Sequence, residues 1–161
     1  MDARHWLADT GAAVTVIDAT ADIEFDHILL DAPCSAEGRI SLDNEKTYGF
    51  WSLDNIMKKS ELQSELLQVS WNHLREGGTL VYSTCTLAPE ENEGVIADFL
   101  LTHEDATLED IDIGLSDRSW WTHGLASFGK NTNYPDILAK AVRILPSDSS
   151  EGFFIAKIRK V

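Results

Sequence analysis

The chain has 161 residues, 43% of them hydrophobic, with 13 basic against 27 acidic residues and a net charge of −14. That is one domain's worth of material, apolar enough for a core. Its acidity argues against broad electrostatic capture of nucleic acid, which needs Lys and Arg to neutralise phosphates. No run approaches the ~20 apolar residues of a membrane span, and the N-terminus lacks the basic start and apolar stretch of a secretory leader. Two cysteines make no disulfide framework, so we read them as reduced thiols of a cytoplasmic protein. No Lys or Arg occurs between Arg75 and Arg118, a pattern that reads as a solvated acidic surface.

Taken in chain order, residues 2–10 read as a helix, stopped by Gly11. Residues 12–19 ("AAVTVIDA") form a short β-branched strand ending at Asp18. Residues 25–33 ("FDHILLDAP") form a second strand, apolar on both faces, as in a parallel strand covered on both sides. Residues 35–53 read as loop. Ser60 and Gln63 have capping-box spacing, and the helix after them places Leu62, Leu66, Val69 and Leu74 on one stripe. The glycines at 77 and 78 end it, and residues 79–85 ("TLVYSTC") are the third strand. Pro89 suits a first helical turn. Glu90, Glu91 and Glu93 favour the positive end of that helix's dipole, and Val95, Ile96, Phe99 and Leu100 are its buried stripe. Residues 104–136 carry little periodicity. Residues 140–146 and 152–160 close the chain as a strand pair around "SDSSEG".

Alternating strands and helices imply a parallel sheet covered by helices. In such open sheets ligands bind at the carboxyl ends of the strands, and Asp18, Asp31, Cys34 and Cys85 all fall at such ends. A thiol is a strong nucleophile only as thiolate, and a helix starting near Pro89 would favour the thiolate of Cys85. The alternative for either cysteine is a small buried apolar residue. His5, His27, His73, His103 and His123 have no metal-ligand spacing with the cysteines, so no metal site is expected.

The stretches "DAPCSAEGRI", "GGTLVYSTCTLAPEENEGVI" and "RILPSDSSEGFFIAKIRK" resemble the Sun (Fmu/Nop) family of RNA cytosine-5 methyltransferases. The resemblance implies a Rossmann-like class I methyltransferase sheet, α/β and mostly parallel with helices on both faces. It also implies S-adenosyl-L-methionine as methyl donor and a cytosine of rRNA or tRNA as acceptor. By the family's motifs, Cys85 adds to carbon 6 of the cytosine, Cys34 is associated with release of the adduct, and Asp31 hydrogen-bonds or protonates the ring nitrogen. Asp18, Asp31 and Pro33 are then the expected cofactor contacts. The target base must be unstacked to reach such a site.

The chain departs from the family at its start. Gly11 is the only glycine before residue 38, so the glycine-rich turn of the donor site has no counterpart. We therefore expect residues 1–161 to be the C-terminal part of a single catalytic domain, with the first two strands missing. A missing N-terminal segment or second chain would complete it, and the chain alone would be inactive. Two other readings compete: a non-catalytic binding or regulatory remnant of such an enzyme, and a thiol redox module using Cys34 and Cys85. Trp120, Trp121, Phe128 and Tyr134 are candidates for base stacking or for packing under a loop. Lys58, Lys59, Lys157, Arg159 and Lys160 are candidate phosphate contacts or plain solvated charges.

Overall fold

A computed structural model describes residues 23–112, 114, 119–128, 132–148 and 150–161. The expected helix at 2–10, the strand at 12–19 and Asp18 lie outside the described residues.

The centre of the sheet is β2 (Leu74–Thr84) between β1 (Phe25–Asp31) and β8 (Phe153–Lys160). β1 runs parallel to β2, with Leu29 level with Val81 and Asp31 with Ser83. β8 runs antiparallel to β2, Tyr82 facing Ala156. Its other edge takes β7 (Val142–Ile144) and β3 (Ala106–Glu109), both antiparallel, and β4 (Trp121–His123) extends β7. β5 (Ser127–Phe128) and β6 (Thr132–Asn133) form a separate small ribbon. The closing strand pair read from the sequence is thus β7 and β8. The fold is an α/β sheet, parallel in the β1–β2 ladder and antiparallel around β8.

Two helices cover one face. α1 (Leu53–Asn72) starts at Ser52, whose hydroxyl accepts the Asn55 N–H at 3.1 Å. The helix therefore begins well before Ser60, which lies inside it and bonds back to the Met57 carbonyl. Its buried stripe is Ile56, Gln63, Leu67 and Trp71, while Leu62 and Val69 are exposed. The expected stripe was out of phase because a glutamine, invisible to an apolar pattern, holds a core position. α1 stops at Asn72 before the glycines, and Gly77 instead sits at φ 72° where β2 is bulged against β1. α2 (Glu93–Thr102) buries Val95, Ile96, Ala97 and Phe99. It starts after Pro89, which lies in the preceding turn.

Under these helices Leu80, Tyr82, Phe154, Ala156 and Ile158 are fully buried, each large apolar side chain contributing about 1.5–3 kcal/mol. The opposite face carries His27, Leu29, Val81, Lys157 and Arg159 around an open hollow of about 630 Å³. Leu29 is 71% exposed. β1 was expected to be covered on both sides; among the described residues helices lie on one side only.

Candidate active site

The β1–β2 register decides where the cysteines go. Asp31 pairs with Ser83, 52 residues later, and the two cysteines are 51 residues apart. Each cysteine lies just past the ladder, so both strands deliver a thiol to one carboxyl edge of the sheet. Backbone pairing persists one step further, the Ala32 N–H donating to the Ser83 carbonyl at 2.9 Å. Cys34 Sγ and Cys85 Sγ end 3.3 Å apart, both half-buried.

A buried polar network fixes the Pro33–Ser35 segment. The Ser35 N–H donates to both carboxylate oxygens of Glu91, at 3.0 and 3.3 Å. Gln63 Nε2 donates to the Pro33 carbonyl at 3.0 Å and to Glu91 Oε2 at 2.7 Å. The Tyr82 hydroxyl donates to the Glu91 carbonyl at 2.6 Å. The Ser35 and Thr86 hydroxyls meet at 2.8 Å. Beyond β2, the Thr84 hydroxyl donates to Asn92 Oδ1 at 2.6 Å, and Asn92 Nδ2 donates to the Thr86 carbonyl at 3.1 Å.

The outer side of the loop is held by backbone. The Gly38 N–H donates to the Cys85 carbonyl at 3.0 Å, and the Gly152 N–H to the Gly38 carbonyl at 2.9 Å. A Cβ on Gly38 would lie 2.1 Å from the Gly152 oxygen, so this crossing requires glycine. Ala36 sits at φ 60°, a left-handed conformation that costs an alanine about 1–2 kcal/mol and is held by the contacts on either side of it.

The two sulfurs are electrostatically unequal. The hydrogen bond with Cys85, then burial, pushes the Cys34 thiol up. The same bond lowers Cys85 to about 7, assisted by the positive charge of Arg39; burial and the carboxylates of Glu151 and Asp31 oppose the shift. Both shifts favour a Cys34 thiol donating to a Cys85 thiolate. The helix expected to start near Pro89 begins at Glu93 instead, and the residue before it, Asn92, is bonded to Thr84 and Thr86 on either side of Cys85.

Asp31 is exposed on the open face, where its Oδ1 accepts the Ser83 hydroxyl at 3.3 Å. Its charge reaches Cys85, so the acid and the thiolate share one edge. Pro33 is exposed beside it. Among the described residues no group of three or more His, Cys, Asp or Glu could hold a metal ion, and no helix is long and apolar enough to cross a membrane. A groove of about 510 Å³ runs along the outer side of the loops, lined by Trp51, Ile56, Leu87, Pro89 and Phe128 among others. Phe128 thus faces a groove, whereas Tyr134 packs against the core. Four of the candidate phosphate contacts are engaged within the chain: Lys58 with Asp54, Lys157 and Arg159 with Glu109, and Lys160 with the carbonyls of Trp71 and Leu74.

The acids after Cys85 do different work from that read in the sequence. Glu91 and Glu93 are fully buried. Glu93 pairs with buried Arg143, whose Nε donates to Glu93 Oε1 at 2.7 Å and whose Nη1 donates to the Leu87 carbonyl at 3.0 Å. Glu93 Oε1 also accepts the Leu125 N–H at 2.9 Å. Spacing alone could not separate these buried acids from dipole-facing ones; the polar Gln63 inside an apolar helix stripe was the available signal.

An α/β sheet with a close thiol pair just past the carboxyl ends of adjacent strands presents the edge at which open sheets bind ligands. The family model for 16S rRNA methyltransferase RsmB/F matches residues 3–159, and the chain belongs to that family. It is 42% identical over 154 residues to the tRNA (cytosine(49)-C(5))-methyltransferase of Pyrococcus abyssi, covering 92% of this chain and 47% of the relative. It is 36% identical over 140 residues to the ribosomal RNA small subunit methyltransferase B of Erwinia tasmaniensis, covering 86% of this chain and 27% of the relative. Among solved structures, a methyltransferase homolog from Pyrococcus horikoshii superposes with a TM-score of 0.71 at 32% identity, over 98% of this chain and 48% of the other. NSun6 from Pyrococcus horikoshii, solved with SFG, gives 0.68 at 32% identity, over 98% and 38%. The chain therefore spans about half or less of the length of these relatives.

Proposed function

We propose that this chain is the sulfur-bearing part of an RNA cytosine-5 methyltransferase, acting on a cytosine of rRNA or tRNA. The observation that carries the reading is the 3.3 Å thiol pair with Cys85 favoured as thiolate. Carbon 5 of cytosine is a poor nucleophile. Addition of Cys85 Sγ to carbon 6 pushes the ring π electrons onto carbon 5, which becomes enamine-like, splitting one hard step into two easier ones. Asp31, at the same edge, holds or supplies the proton at the ring nitrogen. Once carbon 5 is substituted, its proton passes to solvent, the C5–H electron pair re-forms the C5–C6 double bond, and the C6–S bond breaks with its pair returning to sulfur. The Cys34 thiol donates to that sulfur and stabilises it as a leaving group.

The donor proposed is S-adenosylmethionine, which would supply the methyl group; SFG in the NSun6 structure is an analogue of it. Asp31 and Pro33, exposed together at the end of β1, fit one wall of such a site. The described residues do not fit the whole of it, because residues 1–161 hold no glycine-rich turn ahead of β1 and the face beside Asp31 is open among the described residues. Calorimetric titration of the 161-residue chain with the donor is expected to give an affinity weaker than micromolar; micromolar binding would contradict this.

Methyl transfer to RNA is expected once the chain is joined to the part of the Pyrococcus abyssi relative that it does not cover. Cys85→Ser in that fusion should remove transfer of labelled methyl below detection. A variant that retained activity would sink the role of Cys85.

A further inference from the structure

Glu91 has no assigned task in the chemistry above, yet it is fully buried and its carboxylate accepts hydrogen bonds from two segments distant in sequence. Burying a carboxylate is costly unless it is compensated, and its burial holds its carboxyl above the ordinary range. Three donor contacts offset this: two from the Ser35 N–H and one from Gln63 Nε2. All of them lead to the segment carrying Cys34. Gln63 spends both N–H groups on this segment and on Glu91, and leaves its own Oε1 buried without a partner. An unpaired buried oxygen is costly, so this amide is oriented toward the loop at the expense of local stability.

We propose that Glu91 is a positioning residue: together with Gln63 it clamps Pro33–Ser35 so that the Cys34 thiol stays within hydrogen-bond reach of Cys85 Sγ. This rests on the thiol pair being the working part of the site. The geometry supports it directly. Ser35 follows Cys34, so fixing the Ser35 N–H and the Pro33 carbonyl fixes the backbone on both sides of the thiol. Glu91 is itself anchored to β2 through Tyr82, the strand that leads into Cys85. Glu91 thus joins the two cysteine-bearing segments, its carboxylate holding the Cys34 segment and its backbone carbonyl holding the strand that leads into Cys85. The charged groups acting on Cys85, namely Arg39, Glu151 and Asp31, are not among the polar partners of Glu91.

The test reads Cys85 rather than turnover. The rate of alkylation of Cys85 by iodoacetamide is measured against pH in the full 161-residue chain, with the site identified by peptide mass. Wild type should titrate near pH 7. Glu91→Gln, isosteric but a donor facing Gln63 Nε2, should move the midpoint up by about one unit or more, toward the ~8.5 of an ordinary thiol. Cys34→Ala should do the same, and adding Glu91→Gln to Cys34→Ala should give no further shift. Leu67→Ala, which loosens the same core away from the network, should leave the midpoint near 7; an equal shift there would make Glu91 merely structural and overturn the proposal.

A midpoint near 7 in both wild type and Glu91→Gln overturns the role of Glu91 and leaves the thiol pair standing. An ordinary midpoint in wild type overturns the thiol pair itself and the clamp with it. If circular dichroism shows Glu91→Gln unfolded, Gln63→Met decides the matter. It should shift the midpoint in the same direction by a smaller amount, and an unchanged midpoint overturns the clamp.

Discussion

Among the described residues, the two faces of the sheet are finished to different degrees. On the helix side, Leu80, Tyr82, Phe154, Ala156 and Ile158 have no exposure at all. On the other, Leu29 of the parallel strand is 71% exposed and borders an open hollow with Val81, Lys157 and Arg159. The site straddles this boundary. Cys34, Cys85 and the clamp of Glu91 and Gln63 belong to the finished side, where Glu91 and Gln63 are fully buried and hydrogen-bonded to the cysteine loop. Asp31 and Pro33 look out on the unfinished side. On the function proposed above, Cys34 and Cys85 would bind and release the pyrimidine, and Asp31 and Pro33 would form one wall of the donor site. Relatives at least twice as long as the region they share with this chain fit that division.

The comparison can be broken from the finished side first. Arg143→Met leaves Glu93 buried without its cation. A buried pair broken on one side costs about 3–5 kcal/mol, which urea denaturation should register as a fall in midpoint; a change under about 0.5 kcal/mol, the range of surface substitutions, would mean that the pair is solvated. Leu80→Ala, beneath the helices, should cost about 2–5 kcal/mol by the same assay. Leu29→Ser, one strand over and on the open face, should stay within about 0.5 kcal/mol. Equal costs for Leu80→Ala and Leu29→Ser would show that the open face is covered in solution and would erase the distinction between the two sides.

The sequence was informative where its alternation had one solution. β2, the closing pair β7 and β8, and the Val95–Phe99 stripe of α2 follow directly from apolar spacing, and the matched positions of the two cysteines past their strands foretold their meeting. It misled where polar residues act as core. Ser60 and Gln63 have capping-box spacing, but Ser52 is the cap and Gln63 is buried under the cysteine loop. Glu91 and Glu93 stand where a helix dipole would want acids, yet both are held inside by donors that come from distant segments: Ser35, Gln63 and Arg143. Nothing in local spacing encodes those partners. Nor could β1 be seen to have a bare face, because Leu29 and Leu30 are equally apolar and only the sheet assigns them to opposite sides.

The central claim is that Cys85 forms the bond to the base and that Cys34 helps break it. It is tested most directly by Cys34→Ala in the completed enzyme, incubated with labelled RNA and donor and run on a denaturing gel. Protein-linked RNA should accumulate, and peptide mapping should place the linkage at Cys85. No accumulation, or a linkage at any other residue, would contradict the account.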